Sequence, residues 1–329
     1  MNSNRRHWMQ LATLSASGAL ISGCWQGSQD ARTAAGQSNT SDDRLPVVAT
    51  TGMIADMVRS IGRDAVRLTQ LIPAGVDPHL YKPIRDDVVA IVHSKIVFYN
   101  GLKLEGRMAD VLGGGSKSDR VHVALSDSLD PSSLIGESSS DAIDPHIWMD
   151  VSMWSKTIGC IRDTLGRFLV HHQERLDRAA QELIVQLEAL DRYGLEAIER
   201  IPKPQRILIS SHDAFQYFGR RYGLRVEGVQ GISTASEAGL QRIPELIELI
   251  GENSVPAVFK ESSVAGKMID AVIEGAASRR IELRVGKELY SDALGPVGSG
   301  AETYLGMMKH NFDKVAEALS GGRSTRSGM

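Results

Sequence analysis

The feature that most limits how this chain can fold is a long helical stretch set between two series of short apolar runs and helical segments. Leu176, Ala180, Leu183, Leu187 and Leu190 recur at spacings of four, three, four and three, which places them on one face of a helix. Taken as a single helix, residues 172–200 would extend about 43 Å. Ile201-Pro202-Lys203-Pro204 stops it. That is long for an element inside one α/β domain. Two readings follow: a backbone joining two units, or a dimerisation coiled coil with a seam of barely three heptads.

Before this helix the pattern predicts strands over 46–50, 67–72, 96–100 and 121–125, with helices over 54–61, 84–93 and 105–112. After the prolines it predicts strands over 207–211, 225–229, 257–260 and 282–285, with helices near 214–222, 240–251, 267–277 and 301–319. Alternation of this kind implies parallel sheets covered by helices on both faces. The length, 329 residues, suits about two domains. The expected fold class is therefore α/β, with an N-terminal lobe over 45–171, a linking element over 172–200 and a C-terminal lobe over 201–329. Residues 126–141 read as a loop and 320–329 as a frayed tail.

The first residues are an address. Arg5 and Arg6 precede an apolar stretch over 8–21 that is too short to span a bilayer permanently, and it ends in Ile21-Ser22-Gly23-Cys24. Small residues before a cysteine resemble a bacterial lipobox, which makes 1–24 a lipoprotein signal peptide and Cys24 the lipidation site. Asn4-Arg5-Arg6-His7-Trp8-Met9 also resembles a twin-arginine export signal, with Trp and Met where that pattern has Phe and Leu. Residues 25–44 read as a flexible tether. Removing 1–23 deletes two arginines and no acid, and takes the formal net charge from −3 to −5. That balance argues against nucleic acid as a partner. The chain has only two cysteines and no CxxC, so no disulfide framework or thiolate zinc knuckle is available. Cys160, in a helical pattern, is expected to be a small core residue.

Of nine histidines, three stand apart. His79 and His146 each follow Asp-Pro, in Val76-Asp77-Pro78-His79 and Ile143-Asp144-Pro145-His146, where proline stiffens the turn that presents the imidazole. His212 falls just past the apolar run 207–211, at the carboxyl end of a strand, where open α/β sheets bind ligands. Imidazoles bind first-row divalent metals, and a carboxylate commonly completes the set. Asp292, after the last predicted strand, is the best carboxylate for that place, and Glu261, directly after Phe259-Lys260, competes with it. Enzyme signatures are absent: there is no HExxH, GxSxG, Walker loop or GxGxxG after a strand. A metallohydrolase would need an open coordination position and a base such as Asp213 or Glu261.

Five segments carry a resemblance. Asp77-Pro78-His79-Leu80-Tyr81-Lys82-Pro83, Asn100-Gly101-Leu102-Lys103-Leu104-Glu105, Asp144-Pro145-His146-Ile147-Trp148-Met149-Asp150, Ser211-His212-Asp213-Ala214-Phe215 and Tyr290-Ser291-Asp292 occur in this order. They resemble the motifs of the zinc/manganese (cluster A-I) solute-binding proteins of ABC transporters, over about 47–318. The resemblance implies two α/β lobes joined by one backbone helix, with a single ion in the cleft. It carries the ligand role to His79, His146, His212 and Asp292, leaves Glu261 near the cleft, and turns 172–200 into the interlobe helix rather than a coiled coil. It further implies an extracytoplasmic, membrane-anchored, monomeric protein that is not an enzyme and delivers Mn2+ or Zn2+ to an ABC import permease. The alternatives are a metal-dependent hydrolase and a metal-binding surface adhesin. The stretch 126–141 lacks the histidines of the zinc specialists, whereas His212 stands where many manganese binders place Glu. The metal therefore stays open between the two.

Overall fold

In the computed structural model the described residues are 42–113, 119–136, 142–235, 239 and 241–320. The export signal, Cys24, the tether as far as residue 41, the final residues 321–329 and part of the loop 126–141 lie outside them.

The first sheet is built from β1 (Leu45–Ala49), β2 (Val66–Gln70), β3 (Ile96–Tyr99) and β4 (Val121–Ala124), in the order β2-β1-β3-β4. All three pairings are parallel. Strand order reverses direction beside β1, so the carboxyl ends of β1 and β3 flank a switch point, the place where such sheets hold ligands. Helices α1 (Gly52–Gly62), α2 (Arg85–His93) and α3 (Ala109–Leu112) connect these strands. The Thr51 side chain caps α1 by accepting from the Ile54 N–H.

The helix expected over 105–112 is shorter than its pattern suggested. Leu102 and Lys103 adopt positive φ of 53° and 64°, and a 3-10 turn (Gly106–Met108) precedes the single turn of α3. The reason is Glu105, whose buried carboxylate turns back to accept from the Thr50 hydroxyl at 2.7 Å and the Asn100 N–H at 2.8 Å. The loop is wound around that carboxylate before helix can start. Gly101 (φ +87°) is required here, because a Cβ would meet the Ser126 hydroxyl at 2.3 Å.

A helical region follows, α4 (Val151–Ser155), α5 (Thr157–Phe168) and α6 (Gln173–Glu199). The 27 residues of α6 span about 40 Å. Leu176, Ala180, Leu183, Leu187 and Leu190 are all buried, as the spacing requires. They pack against α1, α4 and α5 on the amino-terminal side, and against α7 (Gln216–Tyr222) and α10 (Tyr304–Leu319) on the other. The leucine face is consumed within its own chain, so the coiled-coil reading fails. Asp191 on α6 pairs with Arg221 and the Tyr222 hydroxyl of α7. At Gly194 the Phe312 ring approaches so closely that a Cβ would overlap it.

The remaining strands are β5 (Ile207–His212) and β6 (Arg225–Gln230), paired parallel, and β7 (Ala257–Val258) and β8 (Arg284–Val285), also parallel. The Phe259 N–H donates to the Ile209 carbonyl at 2.9 Å, which places β7 beside β5. β7 and β8 are only two residues each, shorter than the apolar runs predicted, although Glu261 and Leu289 extend them with a parallel bridge. Helices α8 (Arg242–Asn253) and α9 (Lys267–Ser278) cover this sheet. One hydrophobic core runs unbroken from β1 and α1 through α6 to Leu289, Tyr304 and Phe312. Cys160 is half-buried rather than a core residue.

Candidate metal centre

Each of the three singled-out histidines is placed by a hydrogen bond made before its ring is considered. Asp77 Oδ1 accepts the His79 N–H at 2.8 Å, and Asp144 Oδ1 accepts the His146 N–H at 2.9 Å. Both are Asx turns closed across the intervening proline. His212 is the last residue of β5, one position inside the strand rather than past it, and its N–H donates to Glu261 Oε1 at 2.8 Å. Asp292 is held from the far side. The Asn311 side chain on α10 bonds both the N–H and the carbonyl of Tyr290, and the Ser291 carbonyl accepts from Trp148 Nε1 at 2.8 Å.

These four side chains converge. His79, His146, His212 and Asp292 each present a nitrogen or oxygen within 4.8 Å of the other three, and all four are buried. His79 Nε2 and His212 Nε2 stand 3.3 and 3.4 Å from His146 Nε2. Asp292 oxygens stand 3.4 Å from His146 Nε2, 3.2 Å from His212 Nε2 and 3.9 Å from His79 Nε2. A tetrahedral ion with bonds of about 2.0–2.1 Å needs donors about 3.3–3.4 Å apart. Neither buried oxygen of Asp292 has a hydrogen-bond partner. Unsatisfied acceptors of this kind are costly unless an ion is meant to satisfy them. Glu261 is not part of the group. It sits behind His212, with Oε2 2.6 Å from Nδ1.

The rear contacts decide which nitrogen faces the centre. His146 Nδ1 donates to Asp144 Oδ1 at 2.7 Å, which leaves Nε2 facing the group, and Glu261 Oε2 stands 2.6 Å behind His212 Nδ1. The role of Asp144 went unread in the sequence, where Asp-Pro-His was taken only for its proline. Its signal was present, since the residue two before a histidine can reach both that histidine's N–H and its Nδ1. Asn100, at the end of β3, donates to the Pro145 carbonyl at 2.9 Å and fixes the His146 turn against the first sheet.

Charge is distributed unevenly. Burial opposes protonation of His146, but Asp144 and then Asp292 outweigh it and raise its pKa to about 9. Burial likewise opposes protonation of His212, and Glu261 and Asp292 hold it well above the ordinary imidazole value. Burial acts against the Asp292 charge, yet His212 and His146 keep this carboxyl well below its usual range. His79 goes the other way: burial pushes it down to about 3 against the pull of Asp292.

The family model described as zinc-uptake complex component A, periplasmic, matches residues 47–318. The manganese-binding lipoprotein MntA of Bacillus subtilis is 38% identical over 314 residues, covering 95% of this chain and 99% of the relative. The manganese ABC transporter substrate-binding lipoprotein PsaA of Streptococcus pneumoniae is 28% identical over 94% of this chain and 98% of its own length. The solved structure of the periplasmic zinc-binding protein TroA of Treponema pallidum superposes with a TM-score of 0.81 at 37% identity, covering 84% of this chain and 99% of that one.

Proposed function

The chain belongs to the family of periplasmic zinc-uptake complex components, and from that premise we propose that His79, His146, His212 and Asp292 are the ligands of one divalent ion, carried outside the cytoplasmic membrane to an ABC import permease. The family consists of substrate-binding proteins of ABC importers and not of enzymes. The ion is therefore cargo. The observation that carries the reading is the buried group of three imidazoles and one carboxylate with donor separations close to the edge of a metal-sized tetrahedron.

Binding exchanges protons for the ion. At neutral pH His146, raised to about 9, holds a proton against its carboxylate partners, and a divalent cation takes its place between Nε2 atoms already aimed inward. Three nitrogens and one oxygen suit tetrahedral zinc, and both Asp292 oxygens facing the group suit the higher coordination of manganese. The cargo is zinc or manganese. Among the described residues no helix is long and apolar enough to cross a membrane. Attachment rests on Cys24 as lipid site, in keeping with the lipoprotein names of relatives.

Residues 45–171 and 201–329 form the two lobes, with 172–200 as the helix between them, and the protein works as a monomer. The cleft changes by small local rearrangement, because the core is continuous through α6. The test is elemental analysis of protein purified without added metal, followed by zinc–manganese competition. About one equivalent of ion per chain is expected, lost in Asp292→Ala. Wild-type protein that neither retains nor takes up an ion would refute the proposal.

A further inference from the structure

We infer that the hydrogen bond from the Thr234 hydroxyl to Asp77 Oδ2 is a cross-cleft latch that sets how fast the bound ion leaves, with Thr234 as a positioning residue acting through Asp77 on His79. This rests on the metal-carrier reading above.

The argument begins with Asp77. One of its oxygens accepts the His79 N–H at 2.8 Å, and the other accepts from Thr234 at 2.5 Å. The second length lies in the range of charge-assisted O–H···O bonds. Thr234 follows β6 in the carboxyl-terminal half, and Asp77 follows β2 in the amino-terminal half, 157 residues away. A single carboxylate thus joins the backbone of a ligand turn to the opposite rim.

Among the described residues, three other links across the cleft are of a different kind. Trp148 Nε1 donates to the Ser291 carbonyl, the Tyr304 hydroxyl to the Trp148 carbonyl, and the Tyr217 hydroxyl to the Asp144 carbonyl. Trp148, Tyr217 and Tyr304 all belong to the continuous core, so separating these pairs would open that core. Thr234 and Asp77 are only half-buried, and their bond can exchange with water without disturbing packing.

The same is true of the ligands. His146 and His212 are backed by Asp144 and Glu261, whereas the carboxylate within pairing distance of the His79 ring is Asp292, a fellow member of the centre. His79 is also the most exposed of the four at 6%, against 0–1% for the rest. It is the ligand that can leave first, and its turn is tied across the cleft by Asp77 and Thr234. Release then requires the latch to open before His79 swings away.

The experiment is chelator-driven release of Zn2+ or Mn2+ from the full chain, followed by stopped flow for wild type, Thr234→Val and Thr234→Ser. Loss of one hydrogen bond to a charged acceptor predicts release about tenfold faster in Thr234→Val, with the association rate within about twofold of wild type. Thr234→Ser keeps the hydroxyl and should release at the wild-type rate. Release from Thr234→Val within about twofold of wild type overturns the latch, as does equally fast release from Thr234→Ser. Tight binding with unchanged release refutes the latch alone, whereas wild type that takes up no ion refutes the carrier reading and the latch with it.

Discussion

The same three residues, Asp-Pro-His, occur at 77–79 and at 144–146, and the two copies behave differently. In both, the aspartate accepts the histidine N–H across the proline. At 144–146 the same oxygen also takes the ring Nδ1, aspartate and histidine are wholly enclosed, and the imidazole is driven up to about 9. At 77–79 the spare oxygen turns to Thr234, no carboxylate from outside the centre pairs with the ring among the described residues, and burial drives the imidazole down to about 3. A tripeptide can dictate a turn. What stands behind the ring dictates how its histidine is charged and how firmly that ring is held.

The largest test of this contrast is removal of each ring. His79→Ala and His146→Ala should both lose most of the tight metal binding, read by calorimetric titration. Only His146→Ala should also weaken the metal-free fold, by about 3 kcal/mol, because it strands the enclosed Asp144 charge. Equal denaturation midpoints for the two apo-proteins would break the comparison.

A smaller effect is expected from the aspartates. Asp144→Asn should lower affinity about 10- to 100-fold, the usual cost of losing the group that orients a metal-bound imidazole, and Asp77→Asn by clearly less. The pH profile sharpens this. A pKa raised to about 9 means that His146 keeps its proton until then, so wild-type affinity should climb as pH rises from about 6.5 towards 9. Asp144→Asn should flatten that climb, and proton release at neutral pH should fall with it. In the metal-free protein the same shift contributes stability that is whole below about pH 6.5 and lost as pH rises through about 9.

The smallest change should come from Asn100→Ala, which leaves the Pro145 carbonyl without its side-chain donor. About 1 kcal/mol of stability and a few-fold of affinity are expected, both confined to the His146 side. A change in ion-release rate matching that of Thr234→Val would show that the two turns are not independent.

Much of this was legible in the residues. Spacing at 176–190 foretold a buried helical face, because period and burial are tied by helix geometry. Strands β1 to β6 lie within two residues of the positions their apolar runs suggested. The Asp-Pro-His repeat marked two of the four residues that converge. By residues alone Asp292 ranked ahead of Glu261 without a firm separation, since both follow strands. Only the resemblance separated them, and the structure puts one behind His212 and the other among the four. Residues 105–112 were misread because a helical pattern says nothing about a carboxylate turning back to cap Thr50 and Asn100.

By itself the sequence determined what is local or periodic: the strand–helix alternation, the amphipathic helix with its proline stop, the stiff turns bearing histidine, and a charge balance unsuited to nucleic acid. Tertiary structure decided everything that depends on neighbours far along the chain. It set which carboxylate backs which ring, which nitrogen faces inward, and that Asp144 takes the His146 ring while Asp77 reaches out to Thr234. The physical reason is that protonation and ligand geometry respond to charges and donors within a few ångströms. Only the folded chain brings residues 79, 146, 212 and 292 that close.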